Sequence, residues 1–386
     1  MEKLEISKFE VRDVLMRVII SAAGTGGHIN PGIAIANKIK EKDPSSEILF
    51  IGTNRGLEND LVPRAGYKLK TIEAYGFKKE ISVQNIRHIY QTLSSRKDVE
   101  KIFDKFEPDL VLGTGGYICG PVFSVAIKRK IPTVFHESNA YPGKAVKMFS
   151  KKVDEILVGF EETKSKLEGC KKVVVTGTPT KIKKLTISEQ KKKEILEKIG
   201  IKTDLPIVLI FGGSQGAQKI NESVIDLIKN KKNEKYQIIW ATGPKQYDIV
   251  KENFEKENIY ISSLKNVKIL PYIYNMEELM NISDLLVCRS GAMTITEISI
   301  VGKPAIFIPL PSHSANRQED NALVLKKIGA AKIILNKDVN SENLNSEILD
   351  IIEDRLELEE MGKVANSIAP SNVEEKIYKE LVNLIK

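Results

Sequence analysis

The chain contains short glycine-rich segments whose residue types suit the binding of phosphate groups and the transfer of protons. The first, GTGGHINPG, runs from Gly24 to Gly32 and follows a strand-like segment at 17–22. Asn30 suits the N-cap of the next helix, and Pro31 suits its first turn. A helix that begins there presents unpaired backbone N–H groups and a positive dipole end, which favour a phosphate. Tight packing of a strand against a helix explains such a turn equally well.

His28 adds a titratable side chain to this turn. An unperturbed histidine pKa of about 6.5 suits a general base at neutral pH, although many lone histidines are structural. The segment has Ile29 where a dinucleotide-binding Gly-x-Gly-x-x-Gly motif needs its third glycine, and it lacks the Gly-Lys-Ser/Thr of a P-loop. Both nucleotide-binding motifs are therefore excluded, and a bare glycine turn that leads into a helix is left.

A second turn of the same kind, GTGGYICGP, spans Gly113 to Pro121. Two such turns side by side suit a diphosphate better than a single phosphate, and packing is again the alternative. Further on, HESNAYPGK at 136–144 places His, Glu, Ser and Asn at the end of a strand. Because no second Cys or His stands at metal-ligand spacing, this segment predicts hydrogen bonds to a polyol substrate and not a zinc site.

The second half of the chain has further polar segments after strand-like runs. GGSQGA at 212–217 is another phosphate-type turn, in which Ser214 is a helix cap or a donor to phosphate. CRSGAMTITEI at 288–298 opens a helix, and its Glu297 suits a bidentate contact with the two hydroxyls of a ribose. A glutamate there that merely favours the helix dipole is the alternative.

The segment PLPSHSANRQEDNA at 309–322 crowds polar side chains behind a strand, and its Gln318 and Asn321 suit sugar hydroxyls or an acetamido group. The chain has no Asp-x-Asp pair, through which metal-dependent glycosyl transfer often anchors a nucleotide diphosphate. We therefore expect no metal and no cofactor, with helix ends and backbone amides neutralising the diphosphate.

These segments recur in an order of short apolar strands, glycine turns and helical stretches, which indicates an α/β fold with parallel sheets covered on both faces. The order restarts at IVLIFGG, 207–213, after a lysine-rich stretch that is a junction or else a plain surface helix. A Ser-x-x-Glu pattern at 371–374 predicts the N-cap of a terminal helix. The predicted organisation is an N-terminal extension at 1–16, a first domain at 17–180, a linker at 181–206, a second domain at 207–365 and a C-terminal helix at 366–386 that packs back on the first domain.

The composition narrows the class of protein. The 386 residues are 42% hydrophobic and 28% charged, with a net charge of +8, which fits a soluble globular protein with anionic partners. Three separated cysteines favour a reducing compartment. No apolar run approaches the ~20 residues that span a bilayer, and residues 1–15 lack the centre of a signal peptide, so Met16 is an alternative start. Nucleic-acid binding is not expected, because the basic residues are spread and lack interleaved aromatic residues.

Six of the segments resemble, in the same order, the signature motifs of the MurG family. That family consists of GT-B glycosyltransferases and is similar to glycosyltransferase family 28. They are GTGGHINPG, GGYICGP, HESN, GGSQGA, CRSGAMTITEI and the RQEDNA stretch, and the resemblance covers about residues 17–385. It implies two Rossmann-like, doubly wound parallel-sheet domains that face a central cleft. It also implies inverting transfer of N-acetylglucosamine (GlcNAc) from UDP-GlcNAc to the 4-hydroxyl of N-acetylmuramyl-(pentapeptide)-pyrophosphoryl-undecaprenol (lipid I) in peptidoglycan synthesis.

The resemblance implies roles for individual residues. His28, or as second choice Glu137, would accept the proton of the acceptor hydroxyl. The donor would be bound by residues from both halves of the chain: Thr25, Gly26, Gly27, Asn139, Lys181, Ser214, Ile273, Ala292, Met293, Thr294, Ile295, Thr296, Glu297 and Gln318. The acceptor diphosphate would be bound by Gly115, Gly116 and Tyr117. Lys181 stands where the family usually has an arginine, and lysine lacks the planar, two-pronged geometry of that side chain.

Because the implied acceptor is a lipid, the resemblance also implies a peripheral protein on the anionic, cytoplasmic face of the cell membrane. Segment 74–97 combines apolar residues with Lys78, Lys79 and Arg87, which suits docking on an anionic leaflet. An ordinary helix with an apolar face on the core and a solvated basic face is an equal alternative.

Three other functions are compatible with the sequence. A diacylglycerol glycosyltransferase shares the architecture and the lipid setting, and a sugar-nucleotide epimerase would convert UDP-sugars without an acceptor. A non-catalytic sensor of nucleotide sugars is the third, and the presence of both His28 and Glu297 argues against it.

Overall fold

The computed structural model describes residues 16–76, 82–201, 205–213, 216–264, 266–311 and 317–386. The chain divides into two compact units. Unit 1 consists of the chain up to Ser138, Pro142–Pro179 and Asn372–Lys386, and unit 2 consists of Asn139–Tyr141 and Thr180–Ser371. The end of the chain is thus part of unit 1.

Unit 1 is built on a parallel sheet of seven strands in the order β3-β2-β1-β4-β5-β6-β7. The strands are β1 (Arg17–Ala22), β2 (Glu47–Gly52), β3 (Lys68–Thr71), β4 (Leu110–Gly115), β5 (Thr133–Glu137), β6 (Glu155–Val158) and β7 (Val173–Val175). The inner strands are apolar throughout because both faces of the sheet are covered: Ile19 belongs to the core on one face, and Val18 and Ile20 to the core on the other. Since the strands are parallel, the turns after β1, β4 and β5 leave the sheet at one edge.

The helices of unit 1 are α1 (Gly26–Lys42), α2 (Glu58–Arg64), α3 (Val83–Ser94), α4 (Arg96–Phe106), α5 (Cys119–Lys128), α6 (Lys144–Phe149), α7 (Glu161–Lys164) and α16 (Val373–Ile385). The terminal helix α16 packs on α1, where Lys42 and Glu375 form a salt bridge of 3.0 Å. Its buried residues, among them Ile377 and Leu381, join the core under α1. The N-cap of α16 is Asn372 in a left-handed conformation, so the predicted capping box at 371–374 does not form.

Unit 2 is built on a parallel sheet of six strands in the order β10-β9-β8-β11-β12-β13. The strands are β8 (Ile207–Phe211), β9 (Gln237–Ala241), β10 (Val267–Leu270), β11 (Leu285–Cys288), β12 (Ala305–Phe307) and β13 (Ala331–Ile333). The helices are α8 (Glu189–Ile199), α9 (Gln218–Lys229), α10 (Pro244–Glu255), a 3₁₀ turn (Ile261–Ser263), α11 (Met276–Ile282), α12 (Ala292–Val301), α13 (Gln318–Lys327), α14 (Ser341–Ile352) and α15 (Arg355–Ser367).

Two parts of the chain differ from the sequence-based organisation. Most of the predicted linker, 181–206, is a segment of unit 2 in the structure, where α8 buries Ile195 and Leu196. The strands β3 and β13 have no counterpart among the predicted strands. Both lie at sheet edges, and β3 reads Lys-Leu-Lys-Thr, so neither shows the uniformly apolar run of a central strand.

Candidate active site

Helix α1 begins earlier than the sequence predicts, which places His28 on the helix itself. Thr25 is the N-cap, with an extended backbone (φ −116°, ψ 157°) and no side-chain cap bond. The predicted N-cap, Asn30, is instead an exposed residue within the helix, and Pro31 also lies inside it. The backbone conformation at Thr25 therefore sets the helix start, and the cap preference of Asn30 does not.

The ring of His28 lies against the second glycine turn. A Cβ added to Gly115 would lie 2.7 Å from His28 Cδ2 and 2.9 Å from Nε2, and one added to Gly116 would lie 3.0 Å from Ala23 O. Both glycines have positive φ, 115° and 88°. The two turns meet because β1 and β4 are adjacent parallel strands. Packing against His28 and its turn therefore requires both glycines, and Tyr117, with 36% of its surface exposed, follows them.

Gly26 and Gly27 are under no such constraint. A Cβ added to Gly26 would meet its nearest neighbour at 3.5 Å and one added to Gly27 at 3.7 Å, which are ordinary contacts. Both residues lie in the first turn of α1, where backbone N–H groups lack partners within the helix. Since the fold has room for a side chain at both positions, glycine there favours close approach of a ligand to these amides.

Glu58, which the sequence analysis does not single out, is tied to the first turn. It is fully buried at the start of α2. Its Oε2 accepts a hydrogen bond from Gly24 N at 2.9 Å, and its Oε1 accepts from Thr53 N at 2.9 Å and from Thr53 Oγ1 at 2.7 Å. No local pattern marks this residue, because the contact with Gly24 joins positions 34 residues apart.

His136 and Glu137, at the end of β5, take part in structural hydrogen bonds. Glu137 Oε2 accepts from the N–H of Gly143, the N-cap residue of α6, at 2.6 Å. The buried ring of His136 is hydrogen-bonded through Nε2 to Gly177 O at 3.0 Å, and burial lowers the pKa of His136 to about 4. Of the two candidate bases, Glu137 is thus engaged in holding a helix start, which favours His28.

In unit 2, the segment CRSGAMTITEI leads from β11 into α12. Gly291 is the N-cap without a side-chain cap bond, so the N–H groups of Ala292 to Thr294 form the open end of the helix. Ile295 and Thr296 are buried, and Thr296 Oγ1 donates to Ala292 O at 3.2 Å. Those two side chains serve the packing of the helix. Of the five predicted residues from Ala292 to Thr296, the candidates for binding a phosphate are therefore Ala292, Met293 and Thr294.

Glu297 follows in the second turn of α12. Thr180 Oγ1 donates a hydrogen bond to Glu297 Oε1 at 3.0 Å, and the described residues provide no cationic partner. Burial raises the pKa of Glu297 to about 7, against the lowering effect of the Thr180 hydrogen bond. Hydroxyl donors from a ligand would stabilise the charged form of this poorly solvated carboxyl group.

The first turn of α13 brings predicted sugar-binding residues together. Gln318 Oε1 accepts from Leu310 N at 2.9 Å, and the Gln318 backbone oxygen accepts from Ser290 Oγ at 2.7 Å. Asn321 Nδ2 donates to Asn139 Oδ1 at 3.2 Å. The side-chain oxygens of Gln318 and Asn139 are thus bound within the protein.

Three further residues were predicted to bind the sugar nucleotide: Ile273, Lys181 and Ser214. Ile273 is buried between the exposed Tyr272 and Tyr274, whose ring centroids are 4.9 Å apart in an edge-to-face pair. Lys181 is exposed on the segment that leads into α8, and Ser214 lies outside the described residues.

Arg289 is a second residue that the sequence analysis leaves without a role. It lies directly after β11, and its Nη1 donates to Ile308 O at 2.7 Å and to Pro309 O at 3.1 Å. Burial lowers the pKa of Arg289, but a guanidinium group stays charged at neutral pH. Arg289 could have been found from the sequence, because it is a cation within the segment CRSGAMTITEI. It lies three residues before the open start of α12.

Two absences can be stated for the part of the chain that the structure describes. No group of three or more His, Cys, Asp or Glu side chains there could hold a metal ion. No helix within the same residues combines the length and the apolar character needed to cross a bilayer.

The predicted membrane segment, 74–97, is described only in part. Its helix is α3, on which Arg87 is exposed, and Lys78 and Lys79 lie outside the described residues. Before the helix, the ring of Tyr75 stacks on His88 with a centroid distance of 3.9 Å. The described part therefore includes a packed aromatic pair and an exposed cation.

Both halves of the chain match models of known families. The glycosyltransferase family 28 N-terminal domain matches residues 18–158, and the family 28 C-terminal domain matches residues 207–377. A curated relative from Acetivibrio thermocellus is named UDP-N-acetylglucosamine--N-acetylmuramyl-(pentapeptide) pyrophosphoryl-undecaprenol N-acetylglucosamine transferase. It is 43% identical over 373 residues, which cover 96% of this chain and 99% of the relative.

A relative with the same name from Caldanaerobacter subterraneus is 41% identical over 370 residues, which cover 96% of this chain and all of the relative. Among solved structures, the crystal structure of Acinetobacter baumannii MurG is similar with a TM-score of 0.72 and 25% identity, covering 95% of this chain and 99% of that one.

Proposed function

The chain belongs to glycosyltransferase family 28, and we propose that it transfers GlcNAc from UDP-GlcNAc to lipid I, which yields lipid II for peptidoglycan synthesis. The observation that carries this is the 41–43% identity, over 96% of the chain, to relatives named for that reaction. The two parallel-sheet units, of seven and six strands, have the GT-B fold, so the family and the fold predicted from the motifs are confirmed.

His28 is the base in the proposed mechanism. Its Nδ1 is 3.2 Å from Ala23 O, the distance of an Nδ1–H···O hydrogen bond, and that tautomer leaves Nε2 as a proton acceptor. Nε2 would take the proton of the 4-hydroxyl of the N-acetylmuramyl group as its oxygen attacks the anomeric carbon. Attack on the face opposite to UDP inverts the anomeric carbon, so the product is a β-linked disaccharide. Gly26 and Gly27 lie in the first turn of the same helix as His28, and their amides would bind polar groups of a substrate.

Unit 2 would hold the donor. The open N–H groups of Ala292 to Thr294 suit the diphosphate, because a helix start favours negative charge, and Arg289 adds a cation three residues before them. Glu297 would accept hydrogen bonds from both ribose hydroxyls, and Gln318 would read the sugar. Since backbone groups and a guanidinium carry the charge of the leaving UDP, the proposed reaction needs no divalent cation.

For three residues the assignment to the sugar-nucleotide site rests on the sequence and its resemblance to the family. Ser214 would bind the diphosphate, the backbone of Ile273 would meet the uracil, and Lys181 would supply the charge that the family usually takes from an arginine. Asn139 differs from these, because its amide oxygen already accepts from Asn321 at 3.2 Å. In our proposal the sugar competes with Asn321 for the side chain of Asn139.

Because the proposed acceptor is a lipid, the reaction would take place at a membrane surface. We propose peripheral docking of segment 74–97 on the anionic cytoplasmic leaflet, with the exposed Arg87 among its cations. Reversing the charge of Arg87, Lys78 and Lys79 together should weaken sedimentation with anionic vesicles, whereas neutral vesicles should be unaffected. Unchanged binding to anionic vesicles would remove this segment as the docking site.

The reaction is tested by transfer of labelled GlcNAc to a soluble lipid I analogue, with and without a chelator. We expect a labelled disaccharide product and UDP in equal amounts, in the presence of the chelator as well. Release of UDP or conversion of the donor sugar without an acceptor would indicate an epimerase, and preferred transfer to diacylglycerol would indicate a lipid glycosyltransferase of another class. Binding of UDP-GlcNAc without any turnover would indicate a sensor.

A further inference from the structure

Glu58 is a buried carboxylate whose described partners are all hydrogen-bond donors without charge. Its two oxygens accept from Gly24 N, Thr53 N and Thr53 Oγ1, at 2.7 to 2.9 Å. The nearest cation in its own loop, Arg55, turns away to Glu73 and to the ring of Tyr75. Burying a carboxylate without a cation costs free energy of folding, so its presence here indicates a compensating role.

The chain makes room for this side chain at two glycines. A Cβ added to Gly56 would lie 2.0 Å from Glu58 Oε2, and one added to Gly52 would lie 2.7 Å from Glu58 Cγ. Asn59 Nδ2 holds the same loop by donating to Thr53 O at 2.8 Å and to Gly56 O at 3.0 Å. The Glu58 carboxylate is therefore fixed from both sides.

One peptide group joins Glu58 to His28. The N–H of Gly24 donates to Glu58 Oε2 at 2.9 Å. The carbonyl of the same peptide group, that of Ala23, lies 3.2 Å from His28 Nδ1. Hydrogen bonds in such a chain polarise one another, so a negative charge on the N–H side strengthens the carbonyl as an acceptor.

We propose that Glu58 is a positioning residue that holds and tunes His28 through the Ala23–Gly24 peptide group. This inference rests on the proposed function, in which His28 is the base. The polarised carbonyl fixes the proton of His28 on Nδ1, keeps Nε2 toward the substrate and stabilises the imidazolium that forms when Nε2 takes a proton. A carboxylate bonded directly to a catalytic histidine does the same in serine hydrolases, and here a peptide group lies between the two.

Among the described residues, few other titratable groups lie on the elements next to His28. Cys119 of α5 is buried, and burial raises the pKa of its thiol to about 11, so it is neutral at the working pH. Tyr117 follows the glycines of the β4 turn, and Glu137 at the end of β5 accepts from the Gly143 N–H. On α1 itself, the nearest charged side chain in sequence is Lys38, which pairs with Glu41 and Glu375. Glu58 is the carboxylate with a continuous hydrogen-bond path to the ring.

The test compares Glu58→Gln with a matched control, Glu47→Gln, whose carboxylate is exposed at the start of β2. Glutamine removes the charge and keeps an oxygen for the Gly24 N–H, while its NH₂ group replaces the oxygen that accepts from Thr53 N and Thr53 Oγ1. We expect the acid limb of the pH profile of kcat/KM to move to lower pH by about 0.5 to 1 unit, because the imidazolium loses its stabilising charge. The NMR titration midpoint of His28 in the full chain should move the same way, and kcat should fall about tenfold with an unchanged KM for UDP-GlcNAc.

A double-mutant cycle separates tuning from a structural role. In the His28→Ala background, Glu58→Gln should cost no further activity, because the group that it tunes is absent. Equal losses in both backgrounds, or an unmoved NMR midpoint and acid limb in Glu58→Gln, would overturn the proposal while leaving His28 as the base. A moved midpoint together with full activity of His28→Ala would instead overturn the base role and leave the peptide link standing. Glu58→Asp, which keeps the charge, should have an NMR midpoint of His28 between those of Glu58→Gln and the unchanged protein.

Discussion

The glycine turn of unit 1 and the helix start of unit 2 contain similar sequence motifs but are built in different ways. In unit 1 the proposed functional group is a side chain, His28, whose ring lies against Gly115. In unit 2 the candidate site is an open helix end, and its carboxylate, Glu297, is held by Thr180 without a cation from the described residues. The first site is arranged to handle a proton, and the second is arranged to bind an anion and hydroxyl groups.

The comparison also separates two reasons for glycine that a sequence does not distinguish. Gly115 and Gly116 have positive φ and no space for a Cβ, so the fold requires them. In unit 2, Gly216 is the same kind of position, because an added Cβ would lie 2.1 Å from Thr242 O. Gly26 and Gly27 have the space and an ordinary φ, so their identity points to a ligand.

The largest effect is expected from His28→Ala. Removing the proposed base should lower kcat by about 10²- to 10⁴-fold, whereas the affinity for UDP-GlcNAc should stay within about twofold, because most of the proposed donor contacts come from unit 2 and none from the His28 ring. Turnover of a lipid I analogue and donor binding by calorimetry measure the two quantities. His88→Ala is a suitable histidine control, since His88 stacks on Tyr75 in α3. Near-normal turnover of His28→Ala would show that His28 is not the base, and the proposed difference between the two sites would then be wrong.

A pair of glycine variants tests whether Gly115 is required by the fold and Gly27 by a ligand. Gly27→Ala should fold normally, and even gain about 0.5–1 kcal/mol because alanine suits a helix better, yet lose about 10- to 100-fold in activity because its methyl group blocks the amides. Gly115→Ala should lose about 1–3 kcal/mol of folding free energy, because its φ of 115° and the His28 ring both resist a Cβ. Thermal unfolding and turnover are measured on both. If Gly27→Ala is fully active, the glycines of the first turn have no ligand role.

Glu297→Gln should weaken donor binding in unit 2 while sparing the chemistry of unit 1. Losing one charged acceptor for ribose hydroxyls costs about 1.5–3 kcal/mol, which is about 10- to 100-fold in the KM for UDP-GlcNAc. The expected kcat at saturating donor is close to normal. Inhibition by uridine should weaken by the same factor as inhibition by UDP, because both carry the ribose. A lower kcat with unchanged KM would place Glu297 in the reaction itself.

An element of the fold could be predicted from the sequence where the interactions that form it are local or are marked by a run of apolar residues. Central strands such as β8, Ile207–Phe211, were predictable because every residue is buried and apolar. The edge strand β3 was not, because one of its faces carries lysines and only Leu69 is partly buried. The start of α1 was missed because cap preferences at Asn30 and Pro31 are weak beside the backbone conformation at Thr25.

The candidate site divides in the same way. The motifs predicted the segments that contain His28 and Glu297, since each of these residues belongs to a glycine-containing motif of the sequence. They did not predict Glu58, whose bond to Gly24 depends on the fold of a loop 34 residues away. Nor did they show that Ile295 and Thr296 face the core, because α12 is largely apolar and has no clear polar face from which to read its orientation.

The smallest effect is the pH dependence of donor binding. Burial raises the pKa of Glu297 to about 7 in the free protein, above the usual range of a glutamate, so this group is charged above that pH and neutral below it. Ribose hydroxyls donate to the charged form, and the affinity for UDP-GlcNAc should therefore be flat above about pH 7 and fall by up to about tenfold per pH unit below it. Calorimetry from about pH 5.5 to 8.5 measures this, and the diphosphate diester of the donor keeps its charge across that range. Glu297→Gln should abolish the slope, whereas His28→Ala should keep it. A slope that survives in Glu297→Gln would mean that another group of unit 2 titrates on binding, and the ribose contact would then have to be reassigned.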